Sequence, residues 1–209
     1  MVEKTLGSFA DESSAGGESA AGESAGESAA VRSVVFETNA VESSAVGLSF
    51  TQASETEEGS PLVGIIIGSK SDLEVIQGAC EQLADFKVPY ELIVASAHRN
   101  PEKVHVWAAS AVQSGFKVII AAAGKAAHLA GVVAAFTPLP VIAVPIKTSD
   151  LGGLDSLLSM VQMPTGVPVA CVAINGARNA AILATQIIGT GDLNYQKTIS
   201  DYKQQLASQ

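Results

Sequence analysis

The chain has 209 residues and a formal net charge of −9, a length that fits one domain with an appendage. Residues 1–60 hold eleven acidic and two basic side chains, whereas residues 61–209 hold ten of each sign. The globular part is therefore neutral, which leaves no electrostatic case for binding nucleic acid or an anionic membrane. No unbroken apolar run reaches the roughly 18 residues needed to cross a bilayer. The N-terminus lacks the basic start and apolar stretch of a secretory signal, and it is acidic where transit peptides are basic. A soluble, cytoplasmic protein is expected. Cys80 and Cys171 lie in apolar stretches and read as buried thiols of a reducing compartment rather than as a disulfide.

Residues 1–60 are low in complexity: Gly-Glu-Ser-Ala recurs at 17–20, 22–25 and 26–29. Such a segment buries too little apolar surface to offset the entropy of ordering it, so a disordered acidic tail is expected. Two short apolar clusters, Val34-Val35-Phe36 and Val46 to Phe50, are its candidates for docking. At Pro61 the composition changes, and residues 61–209 read as one domain. Leu62–Ile67 is a continuous apolar run closing on Gly68, the pattern of a strand buried on both faces. Ser71 or Asp72 is placed to cap a helix reaching about Phe86. Val88–Ala95 reads as the second strand. After the turn His98-Arg99-Asn100-Pro101 a helix runs to about Ser114, with Gly115 to stop it. Val118–Ala123 is the third strand, with a helix to Ala135, and Val141–Pro145 the fourth. A helix over Leu154–Val161, a strand over Val167–Ile174 and a helix over Arg178–Ile188 complete the pattern. Strands alternating with helices predict an α/β fold, a parallel sheet covered on both faces.

Ligands of such sheets bind beyond the carboxyl ends of the strands. The polar residues that stand out do follow strands: Ser69-Lys70-Ser71-Asp72, then Ser96-Ala97-His98-Arg99, then Gly124-Lys125-Ala126-Ala127-His128. In the first, free N–H groups at a helix start suit a phosphate, and Asp72 suits ribose hydroxyls. The same residues also make an ordinary helix cap. In the second, Arg99 can grip a phosphate through paired hydrogen bonds, and His98 can exchange a proton near neutral pH. A histidine in a turn is also often merely solvated. In the third, small residues let backbone approach a substrate group, and His128 is an acid/base, an orienting donor or a packed ring. His105 reads as structural or exposed. The Asp155-Ser156 and Gln162-Met163-Pro164 stretches could serve a neighbouring site or subunit. No Cys/His set has zinc spacing and no carboxylate set resembles a divalent-metal cage, so neither metal nor cofactor is expected.

Together these residues resemble the N5-carboxyaminoimidazole ribonucleotide mutase family, also called the phosphoribosylaminoimidazole carboxylase catalytic subunit. The resemblance covers residues 63–188. It rests on Gly-Ser-Lys-Ser-Asp at 68–72, Ser-Ala-His-Arg-Asn-Pro at 96–101, Ala-Ala-His-Leu at 126–129 and Asp-Ser-Leu-Leu-Ser-Met-Val-Gln-Met-Pro at 155–164. It implies a flavodoxin-like three-layer α/β/α sandwich, a homo-octamer, and purine (IMP) biosynthesis by carboxylate migration on an aminoimidazole ribonucleotide. It further implies that Ser69, Asp72, Ser96 and Arg99 bind the nucleotide and that His98 transfers the proton. His128, Gly124, Lys125, Ala126 and Leu129 would surround the migrating carboxylate. A chain of this length has no room for an ATP-dependent carboxylase domain, so a separate carboxyaminoimidazole ribonucleotide synthetase is expected to supply the substrate.

Four positions depart from the family pattern. Lys125, Ala143 and Asn175 stand where glycine is usual, and Ala130 stands where proline is usual. If the loop at 124–125 needs a positive φ, Lys125 is strained there; alternatively its ammonium serves a carboxylate. The competing readings are direct carboxylation of aminoimidazole ribonucleotide by free carbon dioxide or bicarbonate, and a non-catalytic nucleotide-binding protein.

Overall fold

In the computed structural model, residues 59–209 are described, together with the backbone of Val35–Phe36. The expectation of disorder over 1–60 lies outside the described residues, except at that dipeptide and at residues 59–60. The second docking candidate, Val46 to Phe50, also lies outside them.

The run of apolar residues after Pro61 behaves as a doubly buried strand must. Successive side chains point to opposite faces, so Ile65 and Ile67 enter one core while Ile66 enters the other. In chain order the elements are β1 (Val35–Phe36), β2 (Val63–Ile67), α1 (Leu73–Asp85), β3 (Tyr90–Val94), α2 (Pro101–Ser110), β4 (Val118–Gly124), α3 (Leu129–Phe136), β5 (Val141–Ile146), α4 (Leu154–Val161), β6 (Ala170–Cys171), α5 (Ala177–Gly189) and α6 (Leu193–Ala207). A short 3-10 turn, Lys70–Asp72, leads into α1.

All strand pairs are parallel, in the order β1-β3-β2-β4-β5-β6. Helices α1, α5 and α6 cover one face, around Ile76, Leu83, Ala180 and Ile199. Helices α2, α3 and α4 cover the other, around Val104, Val133 and Met160. Apart from β1, this is the flavodoxin-like three-layer sandwich. The chain leaves β2 toward β3 but continues from β4 toward β5, so the loops after β2 and β4 diverge. They open a crevice at the carboxyl rim, where the topology places ligands.

Local chemistry sets the boundaries. Asn100 caps α2, its Oδ1 accepting from Lys103 N–H at 3.1 Å, and Pro101 fills the first turn, where its missing N–H costs nothing. Gly115, at φ +91°, ends the turn that follows α2. The strand expected over Val167–Ile174 shrinks to Ala170–Cys171. Pro168 has no N–H for pairing, and Asn175 turns away at φ +58°. Helix α6 lies beyond the last element read from the sequence. Asp192 caps it through Asn194 N–H at 2.8 Å, and Tyr195, Ile199 and Tyr202 face inward on a helical period. Tyr202 meets Phe86 edge-on, ring centroids 5.2 Å apart. Among the described residues, no helix is long and apolar enough to cross a membrane.

Candidate active site

Three loops and a turn meet at the crevice. After β2, Gly68 N–H still donates to Ala122 O at 3.1 Å, holding the loop against β4. Ser69 then caps the 3-10 turn, its Oγ accepting from Ser71 N–H at 3.3 Å and lying 2.9 Å from Ser71 Oγ. The side chain of Asp72 makes no capping bond to α1 and is nearly buried, at 7% exposure. Burial pushes its carboxyl above the ordinary value, offset in part by hydrogen bonds from Ser71 and the Ser69 backbone and by the charge of Arg99.

After β3, the turn Ser96–Asn100 is closed by Asn100 N–H donating to Ser96 O at 2.8 Å. Arg99 Nη2 donates to Gly68 O at 3.1 Å, so this turn is tied to the loop after β2 and the guanidinium keeps further donors for an anion. His98 Nε2 lies 2.8 Å from His128 Nδ1, with the ring planes at 80°. At that distance one ring donates its N–H and the other accepts. Two imidazoles from different loops thus share one hydrogen bond.

After β4, a Cβ on Gly124 would fall 2.8 Å from Thr148 Cγ2, so only glycine fits there without displacing a neighbour. Lys125 takes the left-handed conformation at φ +57°, the strained alternative raised by the sequence. Its ammonium is engaged by Asp150, with Nζ donating to Oδ2 at 2.6 Å between largely exposed side chains. The pair raises the affinity of Lys125 for its proton and lowers that of Asp150. Asn175 also has a positive φ, whereas Ala143 sits in regular, fully buried strand and needs no glycine.

All the candidate residues converge. Ser69, Asp72, Ser96, His98, Arg99, Gly124, Lys125, Ala126, His128 and Leu129 line one cavity of about 560 Å³. Thr148, which sequence reasoning missed, lines it as well. The signal for it was available, since Lys147-Thr148-Ser149-Asp150 is another polar segment directly after a strand. His105 is not in the cavity; it is exposed, with its ring against Phe136 at a centroid distance of 4.2 Å. Asp155 and Ser156 form the first turn of α4, where the buried Ser156 hydroxyl lies 2.9 Å from both Ile146 O and Gly153 O. Cys80 and Cys171 are free and partly buried, and burial raises both thiols. Among the described residues, no group of three or more His, Cys, Asp or Glu is placed to hold a metal ion.

Residues 62–209 match the family model described as AIR carboxylase. The chain belongs to the AIR carboxylase family. It is 53% identical over 148 residues to the N5-carboxyaminoimidazole ribonucleotide mutase of Pyrococcus abyssi, covering 71% of this chain and 85% of that one. It is 54% identical over 146 residues to the phosphoribosylaminoimidazole carboxylase of Candida glabrata, covering 70% of this chain but 26% of the relative. The chain thus spans about a quarter of the length of that AIR carboxylase relative. Among solved structures, Treponema denticola PurE superposes with a TM-score of 0.65 at 29% identity, over 71% of this chain and 92% of that one. The motifs that carried the resemblance all fall inside the family match.

Proposed function

We propose that this chain is an N5-carboxyaminoimidazole ribonucleotide mutase of purine biosynthesis, converting its substrate to 4-carboxy-5-aminoimidazole ribonucleotide. The observation that carries the reading is the 2.8 Å His98–His128 contact inside a cavity that also holds Arg99 and a helix start. In this reading Arg99 and the Ser69 turn bind the phosphate, Asp72 accepts from the ribose hydroxyls, and Ser96 holds the turn that presents Arg99. His98 gives a proton to the exocyclic nitrogen as its bond to the carboxylate carbon breaks, releasing carbon dioxide within the cavity. The neighbouring ring carbon attacks that carbon dioxide, and His98 recovers the proton displaced there, so the reaction is balanced with no co-reactant. His128 steadies His98 and shares its proton, while the small loop Gly124–Ala126 and Leu129 confine the carbon dioxide. Confinement matters because recombination competes with diffusion.

Relatives named as carboxylases keep a second reading alive, direct carboxylation of aminoimidazole ribonucleotide. The deciding assay gives purified protein either N5-carboxyaminoimidazole ribonucleotide or aminoimidazole ribonucleotide with bicarbonate, and follows the 4-carboxylated product. The mutase reading expects rapid turnover of the first and at most slow turnover of the second. The reverse pattern would establish the carboxylase. The protein is further proposed to work as a homo-octamer beside a separate ATP-dependent synthetase. Self-association has support in an exposed apolar row, Leu151, Leu154, Leu158 and Val161, along α4 and the turn before it.

A further inference from the structure

Two residues near the cavity hold left-handed backbone where glycine would be unstrained, Lys125 at φ +57° and Asn175 at φ +58°. Both use the side chain that glycine lacks to reach the same short turn, residues 147–150. Lys125 Nζ donates to Asp150 Oδ2 at 2.6 Å, and Asn175 Oδ1 accepts from Lys147 N–H at 2.8 Å. Lys125 comes from the loop after β4 and Asn175 from the loop after β6. The strands leading into those loops flank β5, which leads into the turn. Between the two ties sits Thr148, whose methyl abuts Gly124 and whose buried hydroxyl makes no hydrogen bond. Backbone strain of this kind persists where the surroundings over-determine it.

We infer that Lys125 and Asn175 are positioning residues, which brace the 147–150 turn from both sides and thereby fix the cavity wall formed by Thr148 against Gly124. The brace acts on the catalytic loop through contact. Gly124 begins the segment that ends at His128, so a wall that yields lets this loop drift from His98. A misplacement of about 1 Å is enough to slow a reaction that depends on alignment. The salt bridge is exposed and screened, so it is the combination of two ties, not either alone, that holds the turn.

The consequence for turnover rests on the function proposed above, whereas the brace itself does not. The test uses the full chain with Lys125→Gly, Asn175→Gly and the double variant, beside the conservative Lys125→Arg and Asn175→Asp. Amide hydrogen exchange of the unliganded proteins reads the turn directly. Both glycine variants should exchange about fivefold or more faster over residues 147–153, and the conservative variants should match wild type. With nucleotide, kcat should fall about three- to tenfold while KM and Tm stay near wild type, because glycine relieves strain as it removes a tie. Wild-type exchange in both glycine variants overturns the brace. So does faster exchange throughout the chain with a matching fall in Tm, the mark of general destabilisation. A raised KM with intact kcat in Lys125→Gly alone overturns it in favour of direct substrate contact. If wild type turns over no nucleotide, the functional reading fails, and the exchange data still decide the brace.

Discussion

Asp72 shows how a residue that lines the cavity can work against the fold that carries it. Its carboxyl is almost fully buried, and its affinity for a proton is raised above the ordinary value of 3.8. A carboxyl with a raised folded value binds more protons in the native than in the unfolded state, so stability falls as pH rises from about 3.8 through the folded value. The cost is fully present at neutral pH and absent below the unfolded value. Asp72→Asn should therefore raise Tm at pH 7 by about 2–4 °C for each kcal/mol relieved, with the difference closing in acid. The same variant should bind the nucleotide about tenfold or more weakly, since a charged acceptor is lost. Calorimetry across pH with and without nucleotide measures both, and an unchanged or lower Tm at pH 7 would refute the account. For His98, the proposed shuttle requires that His98→Asn fold and bind nucleotide normally yet lose about two orders of magnitude in kcat. Asparagine is polar and of similar size but exchanges no proton near neutrality. A residual rate above about a tenth of wild type would move the proton to another group, with His128 the next candidate.

At the scale of elements, the reading from sequence was best where burial enforced a pattern. The runs at Leu62–Ile67 and Val118–Ala123 are doubly buried, so their composition was uniform and their termini lay within a residue of the observed strands. The loops were legible because polar residues placed straight after such strands have few other reasons to be there. What failed depended on long-range partners. Ala170–Cys171 is an edge strand whose length is decided by Pro168 and by the bend at Asn175, not by its own apolar content. Helix α6 has a largely exposed, polar surface, and its inward residues acquire meaning only against α1 and α5. Thr148 was passed over because the segment around it carries no histidine or arginine. Packing yields its own test at Gly64 on β2, where a Cβ would lie 2.8 Å from two ring carbons of Phe116 and 3.0 Å from Trp107. Overpacking a tight core costs about 1–3 kcal/mol, so Gly64→Ala should lower Tm by about 2–12 °C. Turnover at 25 °C should hardly change, because Gly64 lies toward the rim opposite the cavity. A wild-type Tm would show that the rings move aside freely.

The whole molecule presents two surfaces of opposite character. The apolar row on α4 leaves Leu154 and Leu158 about half exposed, at 52% and 48%, and in an assembled protein a second copy would cover it. Leu158→Glu should then convert the assembly to smaller species in size-exclusion chromatography with light scattering. An unchanged mass would place the interface elsewhere.

At the far edge of the sheet, Val35–Phe36 lies along Leu92–Ile93 of β3. An unpaired strand edge is a template on which foreign strands, including those of other copies, can grow into fibrils. The chain supplies its own short cover for that edge, from a segment that also brings the net charge of −9. The pairing of Val35–Phe36 thus blocks part of that edge. Its worth would show not in the rate of the reaction but in how long a concentrated solution stays clear.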